Sequence, residues 1–244
     1  MLEFIAFDAD DTLWHNETYF CEAQERFKRL MHRYLDDSYD GNHLYETEIR
    51  NLGHYGYGVK SFGLSMVETA IELTHGRISA RDIHALIQLT KEMLCAPVEV
   101  LPEVEAVLDE LSGDYPLLLI TKGDLLDQES KILRSGLAEY FRHIEVVSEK
   151  DAATYSRILR RHRIRSEEFL MVGNSLRSDV LPVLELGGHA VHIPYPHTWA
   201  HEHVQLDNSR PKPYTQLGSI GELPEWLEAQ LISPGEVQDE RRSA

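Results

Sequence analysis

The strongest constraint on the fold is a repeated pattern of short apolar runs that stop abruptly at polar residues. Residues 2–7 end in Asp8-Ala9-Asp10-Asp11-Thr12, and four further runs follow at 116–121, 143–147, 168–173 and 189–194. Short runs of this kind, without polar alternation, read as strands buried on both faces. Helical patterns, for example over residues 125–135 and 151–162, separate the last four. Strands alternating with helices imply right-handed crossovers and a parallel sheet covered on both sides. The predicted core is an α/β, doubly wound parallel sheet of Rossmann-like type.

Between the first two runs the texture changes. Residues from about 17 to 95 carry three or four amphipathic helices, with Phe20, Phe27, Leu30, Met31 and Tyr34 at helical spacing. Met66, Ala70 and Leu73 repeat that spacing, and so do Ile83, Leu86, Ile87 and Leu94. A connection this long between parallel strands is expected to be a domain of its own. The predicted organisation is a core of residues 1–14 and 97–232, an all-helical insertion over 15–96, and a polar tail at 233–244 that frays. Within the insertion, the glycines and tyrosines of residues 51–60 predict a stretch that cannot be helical throughout.

Charge narrows the partners. The formal net charge of −17 repels nucleic-acid backbones and anionic lipid. Cys21 and Cys95 stand far apart, so neither a disulfide framework nor a cysteine-based zinc site is expected. No apolar stretch approaches the roughly 18 residues of a membrane span, and the first residues lack the basic flank and apolar run of a secretory signal. The expectation is a cytoplasmic protein with no nucleic-acid or membrane partner.

The chemistry concentrates at the ends of the predicted strands. Asp8 and Asp10 emerge one residue apart, so a turn beginning at Asp8 is needed to aim one carboxylate into a cleft and offer a carbonyl beside it. The alternative for this stretch taken alone is an Asx-turn that merely ends the strand. Thr121 closes the second run and is followed by Lys122-Gly123-Asp124 and a helix, an arrangement of donors that suits an anion such as phosphate. Lys150 follows the third run, and Gly173-Asn174-Ser175 with Asp179 follows the fourth. Four polar groups thus meet at one carboxyl edge of the sheet, where α/β folds bind ligands.

These residues resemble the four motifs of the haloacid dehalogenase-like hydrolase superfamily, and the helical insertion resembles its type-one cap. The resemblance spans roughly residues 2–231. It departs from the pattern at Asn174, where the first of two acids commonly stands, and at Asp151, where many relatives carry proline. It implies a phosphatase acting on a small phosphomonoester, such as a phosphorylated metabolite. Asp8 would be the nucleophile, already ionised at neutral pH, and Asp10 the acid and base, its pKa raised by a neighbouring carboxylate. Thr121 would bond the phosphoryl group and Lys150 would pair with Asp8. Mg²⁺ would be held by Asp8, the Asp10 carbonyl, Asn174 and Asp179. With Asp8, Asp10 and Asp179 ionised, Mg²⁺ and Lys150 restore neutrality, so a dianion can enter despite the acidic surface.

Lys122 and, from the insertion, Lys60 are further candidates for substrate contact, with Tyr55 and Tyr57 beside Lys60 in sequence. His192, His197, His201 and His203 crowd one stretch but read as packing or surface histidines rather than zinc ligands. Three other functions fit the same residues: a metal-free 2-haloacid dehalogenase, a phosphomutase, and a non-catalytic binding protein of this fold. Asp10 disfavours the dehalogenase, which has no leaving group to protonate. Neither the natural substrate nor the oligomeric state is legible.

Overall fold

The computed structural model describes residues 2–35, 39, 41–197, 199–202, 204 and 214–232. The chain enters with strand β1 (Phe4–Phe7) and leaves for helices α1 (Glu17–Met31), α2 (Asn42–Tyr55), α3 (Val59–Leu73) and α4 (Ala80–Leu94). Helix α5 (Val104–Ser112) leads back to β2 (Leu117–Lys122), followed by α6 (Leu125–Ser135) and β3 (Phe141–Val147). Then come α7 (Ala152–His162), β4 (Phe169–Gly173), α8 (Leu181–Glu185), β5 (His189–His192), β6 (Thr215–Gln216) and α9 (Leu223–Ile232).

Among the described residues, the six strands form one parallel sheet in the order β3-β2-β1-β4-β5-β6. The side chains of β1 show why its run is continuously apolar. Ile5 and Phe7 join a cluster on one face with Leu108 of α5, Ile132 of α6 and Leu227 of α9. Ala6 faces the opposite way, against Tyr155 and Ile158 of α7. Both faces are covered, so a polar residue on either would lose its water. After β3 the chain crosses to the other side of β1, so the strand order reverses between β1 and β4. Their carboxyl ends diverge into the crevice where open α/β sheets take ligands.

Helices α1–α4 pack around a separate apolar cluster that includes Phe27, Met31, Phe62, Met66 and Leu86. The glycine-tyrosine stretch is more helical than expected, since α2 runs on through Tyr55. The break is confined to Gly56, Tyr57 and Gly58, with φ of 70° at Gly56 and 113° at Gly58. A Cβ on Gly58 would come within 3.2 Å of the Asp124 backbone nitrogen, so the insertion passes tightly over the core there.

Strand limits also differ from expectation. β3 starts two residues early at Phe141, and β5 stops at His192, short of Pro194, which has no N–H for a ladder. The two-residue β6 is too short to leave a pattern. No helix among the described residues is long and apolar enough to cross a membrane. Residues 233–244, expected to fray, lie outside the described residues, as does His203.

Candidate active site

The site is built on the turn that closes β1. Asp8 donates its backbone N–H to the Val172 carbonyl at 2.9 Å, which ties it to β4. The backbone N–H groups of Thr12, Leu13 and Trp14 then converge on the Ala9 carbonyl. Asp11 sits at φ 62°, and its carboxylate accepts from the Asn16 and Glu17 N–H groups, capping the start of α1. The tight turn sends the Asp8 and Asp10 side chains in different directions, as carboxylates one residue apart require.

Asp8 faces Lys150. The Lys150 ammonium, from the loop after β3, bonds Asp8 Oδ1 and lies 2.7 Å from Asp179 Oδ1, so one cation bridges two carboxylates. All three groups are buried. Asp179 hangs from a π-helical turn, Leu176–Val180, and its Oδ2 accepts the Ser175 N–H at 2.9 Å. Gly173 is glycine for a steric reason, because a Cβ there would sit 2.3 Å from Asp179 Oδ2. Thr12 Oγ1 reaches Asp8 Oδ2 at 3.3 Å and Asn174 Oδ1 at 3.4 Å. Burial pushes the Asp8 carboxyl above the ordinary range, Lys150 opposes that, and Asp179 adds to it. Asp8 is therefore not the freely ionised carboxylate assumed from sequence. Its ionisation depends on positive charge held beside it.

Asp10 differs from expectation. Besides the neighbouring carboxyls of Asp8, Asp11 and Asp127, it meets three donors: Trp14 Nε1 at 2.7 Å, Gln128 Nε2 at 2.8 Å and Lys131 Nζ at 2.7 Å from both oxygens. Gln128 and Lys131 stand three apart on one face of α6, whose start is capped by Asp124 accepting from the Asp127 N–H. Neither was singled out from sequence, although two polar residues at buried helix positions are a readable signal. The sequence-based charge balance changes with them. Asp8, Asp10 and Asp179 face two ammonium groups, Lys131 and Lys150, which leaves one negative charge unmatched.

The remaining candidates divide. Thr121, 1 % exposed, lines the same cleft, and its hydroxyl has no hydrogen-bond partner among the described residues. Lys122 also lines the cleft, but its ammonium is held by Glu202 Oε1 at 2.7 Å and Ser178 Oγ at 2.9 Å, and it lies 3.9 Å above the Tyr57 ring. Lys60 is not among the cleft residues. It is half-exposed and pairs with Asp124 at 2.7 Å, clamping the insertion to the start of α6. Tyr55 is exposed, whereas Tyr57 enters the cleft and donates its hydroxyl to Glu149 at 2.8 Å.

Sequence reasoning missed Glu202, whose carboxylate also accepts from Ser175 at 2.5 Å and Ser178 at 2.7 Å. Burial alone would raise its pKa. Lys122 and the two hydroxyls outweigh burial and bring it to about 2. No motif announces this residue. Of the nearby histidines, His192 lies with Nε2 3.0 Å from the Asn174 carbonyl, His201 packs against Trp199, and His197 lines the cleft.

Together these groups enclose a cleft of about 170 Å³ between the sheet edge and the insertion. Among the described residues no three His, Cys, Asp or Glu side chains form a ready-made ligand set. A hard divalent ion at the ends of β1 and β4 would draw on the Asp8 and Asp179 carboxylates, the Asn174 amide oxygen and the Asp10 carbonyl. That donor set suits Mg²⁺, and the unmatched negative charge fits a cation.

Residues 2–187 match the family model of haloacid dehalogenase-like hydrolases. A solved haloacid dehalogenase-like family hydrolase from Xanthomonas campestris is 42 % identical, with a TM-score of 0.84 over 93 % of this chain and 91 % of that one. A 2-haloacid dehalogenase from Pseudomonas syringae is 21 % identical, with a TM-score of 0.62 over 94 % and 100 % of the two chains. A predicted phosphoglycolate phosphatase from Haemophilus somnus is 15 % identical, with a TM-score of 0.62 over 93 % and 98 %. At such identities the last two likenesses concern the fold. A search of curated proteins finds no match.

Proposed function

The chain belongs to the haloacid dehalogenase-like hydrolases, and we propose that within them it is a Mg²⁺-dependent phosphatase acting on a small phosphomonoester. The observation that carries this reading is a second carboxylate, Asp10, lining the cleft of Asp8 and held by three donors. Displacement of halide needs no proton for the departing group. Breaking a phosphate ester does.

In this reading an oxygen of Asp8 attacks phosphorus, the ester P–O bond breaks, and Asp10 supplies the proton to the departing alkoxide. Water then attacks the aspartyl-phosphate at phosphorus. Asp10 takes its proton, and phosphate leaves with the Asp8 carboxylate restored. To donate in the first half, Asp10 must carry a proton and turn from Lys131 toward the leaving oxygen. Lys150 favours the ionised form of Asp8 by its charge, and the Thr121 hydroxyl, unpartnered among the described residues, supplies a hydrogen bond to the phosphoryl group. Mg²⁺, held by Asp8, Asp179, Asn174 and the Asp10 carbonyl, would supply positive charge to the phosphate oxygens. The helical insertion serves as a cap that excludes bulk water and meets the leaving group.

The test is turnover of an aryl phosphate with Mg²⁺ by the wild-type protein and Asp8→Asn, alongside halide release from 2-chloropropionate in EDTA. The reading expects phosphate release that Asp8→Asn lowers by several orders of magnitude. Halide release without metal, or Asp8→Asn activity within about tenfold of wild type, overturns it.

A further inference from the structure

The cleft has a second polar end. Glu48, from α2, is 8 % exposed and lines the cleft, and its Oε1 has no hydrogen-bond partner among the described residues. Trp199 hydrogen-bonds this carboxyl, and Glu17, at the start of α1, is its electrostatic neighbour in the same cleft. No ion pair among the described residues involves either glutamate. The cleft lysines are engaged elsewhere: Lys122 with Glu202, Lys131 with Asp10, and Lys150 with Asp8 and Asp179. Gln128 Oε1, likewise without a partner among the described residues, belongs to the other end of the cleft, where the Gln128 amide bonds Asp10.

A buried acceptor without a partner and a neighbouring carboxyl call for a ligand that donates hydrogen bonds and brings positive charge. Phe20, Leu52 and Phe62 line the same cleft and offer an apolar surface for a short carbon spacer. Resting on the phosphatase reading, we propose that the substrate is the phosphomonoester of an amino alcohol. Glu48, with Glu17 beside it, receives the leaving group's ammonium while the phosphate lies against Asp8 and Thr121. Burial holds the Glu48 and Glu17 carboxyls at about 7 and about 8, a strain that a cationic ligand would relieve. An anionic leaving group would push both carboxyls further toward their protonated forms and gain no such pairing.

The experiment compares kcat/KM for 2-aminoethyl phosphate, its neutral isostere 2-hydroxyethyl phosphate and an aryl phosphate, using wild type, Glu48→Gln and Glu48→Asp. Wild type should favour the amine over the hydroxyl by about tenfold or more, chiefly through KM, because a desolvated charge pair is lost in the isostere. Glu48→Gln should erase that ratio, and Glu48→Asp should retain part of it. If the aryl phosphate is hydrolysed but the two alkyl esters react alike, the amine assignment falls and the phosphatase reading stands. A preference for the amine that survives Glu48→Gln overturns the role of Glu48. If no phosphomonoester is hydrolysed, the phosphatase reading fails and this inference fails with it.

Discussion

Lys131→Met removes one charge from a residue that is 9 % exposed while nearly preserving its volume, so it tests whether the Asp10 clamp matters. At the observed 2.7 Å and an effective dielectric near 20, the Coulomb attraction is about 6 kcal/mol before desolvation. Losing one partner of a buried pair costs about 3–5 kcal/mol, because the other charge stays buried. Asp10 keeps its bonds to Trp14 and Gln128, and its side chain is 19 % exposed. The expected loss is therefore at the lower end, about 3 kcal/mol.

The variant also frees Asp127, 3.8 Å from the ammonium, whose carboxyl burial raises and Lys131 holds down. A carboxyl with a raised native pKa destabilises the fold where it is ionised and does so less once it can protonate. The gap between wild type and variant should therefore narrow as pH falls from 7 toward the ordinary aspartate value of 3.8. Urea unfolding of both proteins across that range measures the gap, and kcat on an aryl phosphate should fall by about ten- to a hundredfold. A loss at pH 7 below about 1 kcal/mol would be that of a surface pair. That result, or a gap independent of pH, refutes the reasoning.

Chelation with EDTA should abolish turnover and Asp179→Ala should reproduce that loss in a protein that circular dichroism shows to be folded; full activity in EDTA contradicts the metal assignment. For Asn174→Asp, the added charge should lower the Mg²⁺ concentration for half-maximal rate severalfold, with KM level or raised, and Asn174→Ala should move the requirement the other way. Three coincident titration curves would put Asn174 out of the ion's reach.

The core was legible because burial on both faces leaves its mark on every strand residue, as at Ile5, Ala6 and Phe7 of β1. The same pattern brought Asp8, Thr121, Lys150, Asn174 and Asp179 to one sheet edge, where the structure gathers them. What sequence could not supply was the set of partners reached through the fold. Lys131 and Gln128 lie more than a hundred residues from Asp10, and Glu202 meets Lys122 across 80. The sequence placed Asp10 among acids, and the fold adds the cation Lys131 that holds it. Lys60, chosen for its place in a glycine-rich stretch, instead ties the insertion to Asp124, because Gly56 and Gly58 confine the break to three residues. Glu48 gave no signal because its isolation is a property of packing.

In the proposed reaction a carboxylate oxygen of Asp8 takes the phosphoryl group. The direct measurement is acid-quenched mass spectrometry of the Asp10→Asn protein during turnover of an aryl phosphate with Mg²⁺, where loss of the base should let the intermediate accumulate. The expected result is the mass of one phosphoryl group on the peptide carrying Asp8, absent from a protein that also bears Asp8→Asn. Phosphate release with no covalent adduct, or an adduct on another residue, contradicts it.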